Sequence, residues 1–171
     1  AREALEQAVA LDPSLRDAWL RLGELELQSR AYLKAEEAFL RSVALDPAAP
    51  LAYRWLGQMH WQQRQLDLAR RFYYQAASLR VPDSNFSEEL GNVWKAHSRI
   101  AAAEYYRSAI SQDGGGRTAL VASYAQTLRE LKVWSTAEQV LRFGVASFPQ
   151  EATFPLLTAE VLLEQGRLLD A

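Results

Sequence analysis

Apolar and small residues recur along most of this chain at the three- and four-residue spacing of amphipathic helices. In the stretch from Asp17 to Pro47 this spacing covers two short segments, and Asp46-Pro47 closes the second one. Because proline disfavours helical geometry in the residue before it, the second segment is expected to end there. The stretch is therefore predicted to form two short helices joined by a turn.

The same pattern returns at a fixed interval. Leu22-Gly23 recurs as Leu56-Gly57 and again as Leu90-Gly91, each time 34 positions further along. Asp12-Pro13 recurs as Asp46-Pro47 at the same interval. Self-similarity at a period of this size is typical of a stacked array of repeats.

The period divides the chain into six segments. They are 1–13, the second half of a repeat; 14–47, 48–82, 83–116 and 117–149, four repeats; and 150–171, a partial repeat. Both ends fall inside a repeat, so we expect the chain to be a fragment of a longer array. The fourth unit is expected to lack one residue near 97–99, and Gly114-Gly115-Gly116 is expected to be a flexible joint.

Glycine inside a helix costs about 1 kcal/mol relative to alanine. A glycine kept in register at 23, 57 and 91 therefore predicts that two helices approach more closely there than a side chain would permit. By the same register, five aromatic residues are predicted to lie in the core: Trp19, Tyr53, Tyr73, Trp94 and Tyr106. Trp55 is predicted to pack between repeats.

These residues resemble the tetratricopeptide repeat. Trp19-x₂-Leu22-Gly23, Ala35-x₃-Phe39 and Pro47 fit its pattern, with Glu26 where tyrosine is expected. The resemblance covers essentially the whole chain and weakens after Gly116. It implies an all-α fold, a right-handed superhelical solenoid of antiparallel helix pairs in which the first helix of each pair lines a concave groove. It also implies protein–protein interaction.

The candidate binding residues face that groove in three columns, one residue of each column on each first helix. The middle column is polar in every unit, and its carboxamides could pair with the backbone of an extended peptide. Trp61, with cations further along its column, is typical of a binding hot spot. A solvated helix face, or packing of Trp61 against the neighbouring unit, are the alternatives. The candidate partner-binding residues are Arg54, Gln58, Trp61, Asn92, Lys95, Gln126 and Arg129.

Composition and charge argue against several classes of function. The formal net charge of −2 and the glutamates expected in the groove argue against a nucleic-acid partner. The chain has no cysteine, which excludes disulfides and cysteine-ligated metal, and no apolar run reaches the roughly 20 residues of a membrane span. His60 and His97 have no catalytic partner at useful spacing, so no catalytic residue, metal or cofactor is predicted. Cytoplasmic and periplasmic locations both stay open.

The leading hypothesis is a non-catalytic scaffold that binds a partner peptide or helix in the concave groove. A second is the substrate-recruiting array of a larger enzyme, such as a glycosyltransferase, sulfotransferase or kinase, with catalysis encoded elsewhere. A third is a structural spacer or an array that self-associates through its cut repeat ends.

Overall fold

The computed structural model describes residues 1–167, and these form ten α-helices and no strand. The helices are α1 (Arg2–Leu11), α2 (Arg16–Gln28), α3 (Tyr32–Leu45), α4 (Pro50–Gln62), α5 (Leu66–Leu79), α6 (Ser84–Lys95), α7 (Arg99–Asp113), α8 (Thr118–Glu130), α9 (Trp134–Ser147) and α10 (Thr153–Glu164). The all-α expectation is confirmed. The final residues of the 150–171 segment, 168–171, lie outside the described part.

The chain divides into two compact units, residues 1–81 with α1 to α5 and residues 82–171 with α6 to α10. Within each unit every helix packs against the next one along the chain. First helices also contact each other, α2 with α4 in the first unit and α8 with α10 in the second. Short connections between packed neighbours produce antiparallel helix pairs.

In three of the helix pairs, an aromatic ring of the second helix packs directly against a glycine of the first helix. A Cβ atom built on Gly23 would lie 2.5 Å from the Phe39 ring, and one on Gly57 would lie 2.8 Å from the ring of Tyr73. Gly91 meets Tyr106 in the same way, at 2.5 Å. All three rings are buried. The predicted close approach is therefore confirmed, and its cause is the ring on the facing helix.

The α8–α9 pair packs closely without a glycine and a facing aromatic ring. Ala125 stands in the glycine position and Leu141 in the ring position, and both are buried. The tight contact moves to the next helix, where a Cβ atom on Gly144 of α9 would lie 2.3 Å from the buried Phe154 ring of α10. The pair keeps its packing although its sequence has lost the motif.

Four first helices end in the same hydrogen-bonded turn, which reverses the chain into the second helix. The residue that adopts the left-handed conformation is Arg30, Arg64, Lys132 or Gly166, with φ of 57°, 61°, 58° and 75°. After α4, Arg64 N–H donates to Trp61 O at 3.0 Å and Gln65 N–H donates to His60 O at 2.9 Å. This is the Schellman arrangement, which glycine usually occupies.

The α6–α7 connection departs from this turn. Helix α6 ends at Lys95, one register position earlier than α2 and α4, and Ser98 caps α7 by accepting from the N–H of Ala101 at 3.3 Å. No residue from 96 to 98 has a positive φ. The expected loss of one residue near 97–99 is therefore visible as a different turn.

The three-glycine segment, which the sequence suggested as a flexible joint, forms a turn with defined hydrogen bonds. Gly114 and Gly115 both have positive φ, 71° and 74°. The Asp113 carboxylate accepts from Gly115 N–H at 2.9 Å and from Arg117 Nε at 2.7 Å. Arg117 also pairs with Glu88 and donates to Ser84 Oγ at 2.5 Å, so one side chain ties together three helices of the second unit.

Two buried core positions of the first unit carry ionisable side chains. Glu26 is buried, and Arg2 Nε of α1 lies 3.0 Å from its Oε1 without the alignment of a hydrogen bond. One repeat later His60 is buried, stacks on Phe72 at 5.2 Å, and has its Nδ1 2.6 Å from Gln65 Oε1. The position where the family pattern expects tyrosine thus holds a buried glutamate in one repeat and a buried histidine in the next.

Replacing Gly57 by alanine is expected to destabilise the array by about 1–3 kcal/mol, because the new methyl group overpacks against the buried Tyr73 ring. Combining it with Tyr73→Leu copies the Ala125–Leu141 pair, so the alanine should cost less in that background. Chemical denaturation of the four proteins of this double-mutant cycle measures the coupling. Equal costs of the alanine in both backgrounds would show that the ring is not the obstacle.

Arg64→Gly is expected to raise the free energy of unfolding by about 0.5–1 kcal/mol, because glycine has no steric penalty at positive φ. The matched control is Arg71→Gly, at an exposed position inside α5, which should lower it by about 1 kcal/mol. Thermal and urea unfolding measure both changes. The turn assignment fails if the two glycines have the same effect.

Candidate functional site

Three candidate residues of the first unit share one face of α4. Arg54, Gln58 and Trp61 follow the i, i+4, i+7 spacing of a helical stripe, and each is partly exposed. The adjacent stripe holds Gly57 and His60, which are buried in the helix pair. The α4 backbone therefore holds an aromatic ring, a carboxamide and a guanidinium in a row beside its packed face.

Asn92 of α6 is exposed but not free. The buried Tyr106 hydroxyl of α7 donates a hydrogen bond to Asn92 Oδ1 at 2.7 Å. Burial raises the pKa of the Tyr106 phenol above its ordinary range, and the Glu88 and Glu130 carboxylates raise it further. The phenol therefore keeps its proton, and Asn92 has a structural role in addition to any binding role.

The two candidate cations of the second unit, Lys95 and Arg129, are paired across neighbouring first helices. Lys95 Nζ of α6 lies 3.7 Å from Glu130 Oε1 at the end of α8. Arg129 of α8 contacts the Glu160 carboxylate of α10, and its Nε lies 3.8 Å from Glu164 Oε1. The Arg129 side chain is 19% exposed, whereas Glu160 and Glu164 are 51% and 49% exposed.

This ladder of ion pairs changes the electrostatics that the sequence suggested. Lys95 and Arg129 were expected to offer positive charge to a partner, but each already has a carboxylate beside it. The more exposed members of the Arg129 cluster are acidic. The surface at Arg129 is therefore charge-compensated, whereas at Lys95 the single Glu130 carboxylate is shared with Arg99, whose Nε lies 2.6 Å from Glu130 Oε2.

Two carboxamides stand apart from these pairs. Gln58 of α4 and Gln126 of α8 are partly exposed, and within residues 1–167 neither side chain makes a hydrogen bond. An amide offers both a donor and an acceptor. These two side chains are the candidate residues whose hydrogen-bonding groups remain available.

The structure brings the seven candidates together in two sets. Arg54, Gln58 and Trp61 lie on α4 of the first unit, and the others lie on α6 and α8 of the second unit. Sequence reasoning missed Glu130 and Arg117, which join helices far apart in sequence. The only sequence signal for Arg117 is its place directly after three glycines and four residues beyond Asp113.

The described part of the chain offers no metal centre, since no group of three or more histidine, aspartate or glutamate side chains converges within residues 1–167. In the same residues, no helix is both long and apolar enough to cross a membrane. His60 is buried among packing contacts, and its nearest ionisable partner is Glu36, 3.8 Å from Nε2.

Comparison with solved structures places the fold among helical-repeat solenoids. YrrB, a TPR protein, superposes with a TM-score of 0.90 at 15% identity over 98% of this chain and 86% of YrrB. MamA matches with a TM-score of 0.76 at 20% identity over 88% of each chain. PilF of Pseudomonas aeruginosa matches with a TM-score of 0.75 at 20% identity over 95% of this chain and 74% of PilF.

The family model of the tetratricopeptide repeat matches this sequence at residues 1–50 and 32–84. No curated protein matches it by sequence. The family match and the solenoid fold agree with each other: residues 1–84 match the tetratricopeptide repeat family, and the chain has the fold of a tetratricopeptide repeat solenoid.

Asn92→Ala is expected to lower the free energy of unfolding by about 1–3 kcal/mol, because the buried Tyr106 hydroxyl loses its acceptor. Gln126→Ala, at the same register position one unit later, removes no intramolecular bond and should change it by less than about 0.5 kcal/mol. Urea denaturation compares the two. Similar losses in both variants would contradict this division between a structural and a free carboxamide.

Proposed function

We propose that the chain is a non-catalytic protein-interaction scaffold that binds a partner peptide or helix on the faces of its first helices. In the first unit the contacts come from Arg54, Gln58 and Trp61. In the second unit they come from Asn92 and Lys95 on α6 and from Gln126 and Arg129 on α8. The remaining candidate functions have no observation of their own in their favour.

The observation that carries the proposal is the carboxamide that recurs at one register position of three first helices, one in the first unit and two in the second. Gln58, Asn92 and Gln126 are all at least partly exposed, and two of them have no hydrogen-bond partner within the described residues. A partner backbone offers alternating donors and acceptors, which amides can pair with. Trp61, partly exposed on the same face as Gln58, adds an apolar anchor.

The comparisons support this use of the fold. YrrB, which shares the fold over nearly the whole chain, is described as a TPR protein with an unusual peptide-binding site. At 15% identity the likeness supports only the general mode of binding, and the contact residues are argued from this chain alone. Because Lys95 and Arg129 are paired, we assign them a supporting role and place most of the recognition on Trp61 and the free amides.

The test begins with a peptide-display library panned on the full chain, followed by fluorescence anisotropy with the enriched peptides. Trp61→Ala should weaken binding by about tenfold or more, since hot-spot truncations cost 1–2 kcal/mol or more. Gln58→Ala and Gln126→Ala should each weaken it less. Circular dichroism should show unchanged helicity in all three variants.

The matched control is Tyr74→Ala, which removes an aromatic side chain that is 62% exposed on α5, a second helix. Binding should be unchanged in this variant. If Tyr74→Ala weakens binding as much as Trp61→Ala, or if Trp61→Ala unfolds the chain, the proposed surface is wrong.

A further inference from the structure

A cavity of about 360 Å³ lies on the second unit, away from the first-helix candidates. Val121 and Tyr124 of α8, both buried, form its floor. Its walls are apolar and come from Ile110 of α7 and from Val140 and Phe143 of α9. We call it the α7–α9 pocket.

The glycine turn shapes the mouth of this pocket. A Cβ atom on Gly115 would lie 2.8 Å from the Phe143 ring, so only glycine lets that ring lie against the turn. A Cβ atom on Gly114 would meet nothing within 4 Å, so the pocket is open on that side. The turn at Gly114 and Gly115 therefore leaves room for the Phe143 ring and keeps the mouth of the pocket accessible.

Two residues at the mouth, Phe143 and Gln139, are less polar than their counterparts in the earlier repeats. At the register position of Phe143 the earlier units carry polar side chains, Arg41, Gln75 and Ser108. At the position of Gln139, which lines the rim, they carry charged ones, Glu37, Arg71 and Glu104. An outward helix face is normally polar, yet Phe143 is 42% exposed here. The fifth repeat has replaced polar side chains by an aromatic ring at one position and charged side chains by a neutral amide at the other.

The charge beside the pocket is positive. Arg142 is exposed, neighbours Gln139 at the i, i+3 spacing, and makes no ion pair within residues 1–167. On α7, the helix that supplies Ile110 to the opposite wall, Arg107 is paired with Glu104, and neither side chain lines the cavity. Side chains that line the cavity are uncharged, so the occupant that complements this surface is apolar in the pocket and anionic next to it.

We propose that the α7–α9 pocket is a second protein-binding site, which takes an aromatic or branched apolar side chain of a partner peptide that carries a carboxylate beside it. The pocket is built from α7, α8 and α9 and uses none of the seven first-helix candidates. It would therefore allow the scaffold to hold two partner segments at once. Its existence does not depend on binding along the first helices.

The experiment uses a matched pair of small probes, N-acetylphenylalanine and its neutral amide, which differ only in the carboxylate. Amide chemical shifts of the full chain are followed by NMR as each probe is added. Saturable shifts are expected at the end of α7, in the glycine turn and along residues 139–143. The carboxylate probe should bind about two- to fivefold more tightly than the amide, which is the range of an exposed ion pair.

Three variants separate the contributions. Phe143→Ser removes a wall and should weaken both probes by about tenfold. Arg142→Gln should abolish the preference for the carboxylate, and Gln139→Glu should weaken only the carboxylate probe. Tyr74→Ser, which removes an exposed ring on α5, is the control and should change neither affinity.

The proposal is overturned if neither probe gives saturable shifts at these residues, or if Phe143→Ser binds as the unchanged chain does. Because Phe143 is partly exposed, this variant should fold, and Gln139→Glu tests the site independently without touching the core. Shifts at the same residues that depend on protein concentration alone would identify a second copy of the chain as the occupant and also overturn it.

Discussion

The packing of an aromatic ring onto a bare stretch of helix backbone is the constraint on which this array depends. Gly23, Gly57 and Gly91 remove the side chain that would hold the two helices of a pair apart, and the facing ring fills the space. A buried ring has few alternative positions in a close-packed interior, so the contact fixes the rotation of both helices. That rotation determines which stripe of each first helix is packed and which remains available for binding.

The fifth repeat shows how far this constraint can be relaxed. Ala125 is larger than the glycine of the other pairs and Leu141 is smaller than their aromatic ring, so the interface stays filled. The tight glycine contact lies instead between Gly144 and Phe154. Total volume is preserved while the motif disappears, as expected of cores that tolerate compensating changes. On the outer face of the same repeat, Phe143 lies against the glycine turn.

Much of the fold could be predicted from the sequence because periodic packing leaves a periodic pattern. The helices, the 34-residue interval and the role of the glycines all follow from it. The left-handed turns could not be foreseen, because Arg30 and Arg64 carry no glycine-like signal. The ion pairs of Lys95 and Arg129 were also hidden, since their partners lie on the following first helix and a register column does not give distances between helices.

The compensated charges decide what kind of recognition the proposed scaffold can use. A partner carboxylate that approaches Arg129 must compete with Glu160 and Glu164, which are closer and already in place. Exchanging one half-exposed ion pair for another gains little, since such pairs contribute at most about 1 kcal/mol. The free amides of Gln58 and Gln126 have no such competitor, and the Trp61 ring gains by losing water whatever the charge of its partner. In the proposed scaffold, selectivity on the first-helix faces would therefore rest on backbone hydrogen bonding and apolar shape, and Arg142 beside the α7–α9 pocket is one charge of the second unit that has no carboxylate partner within residues 1–167.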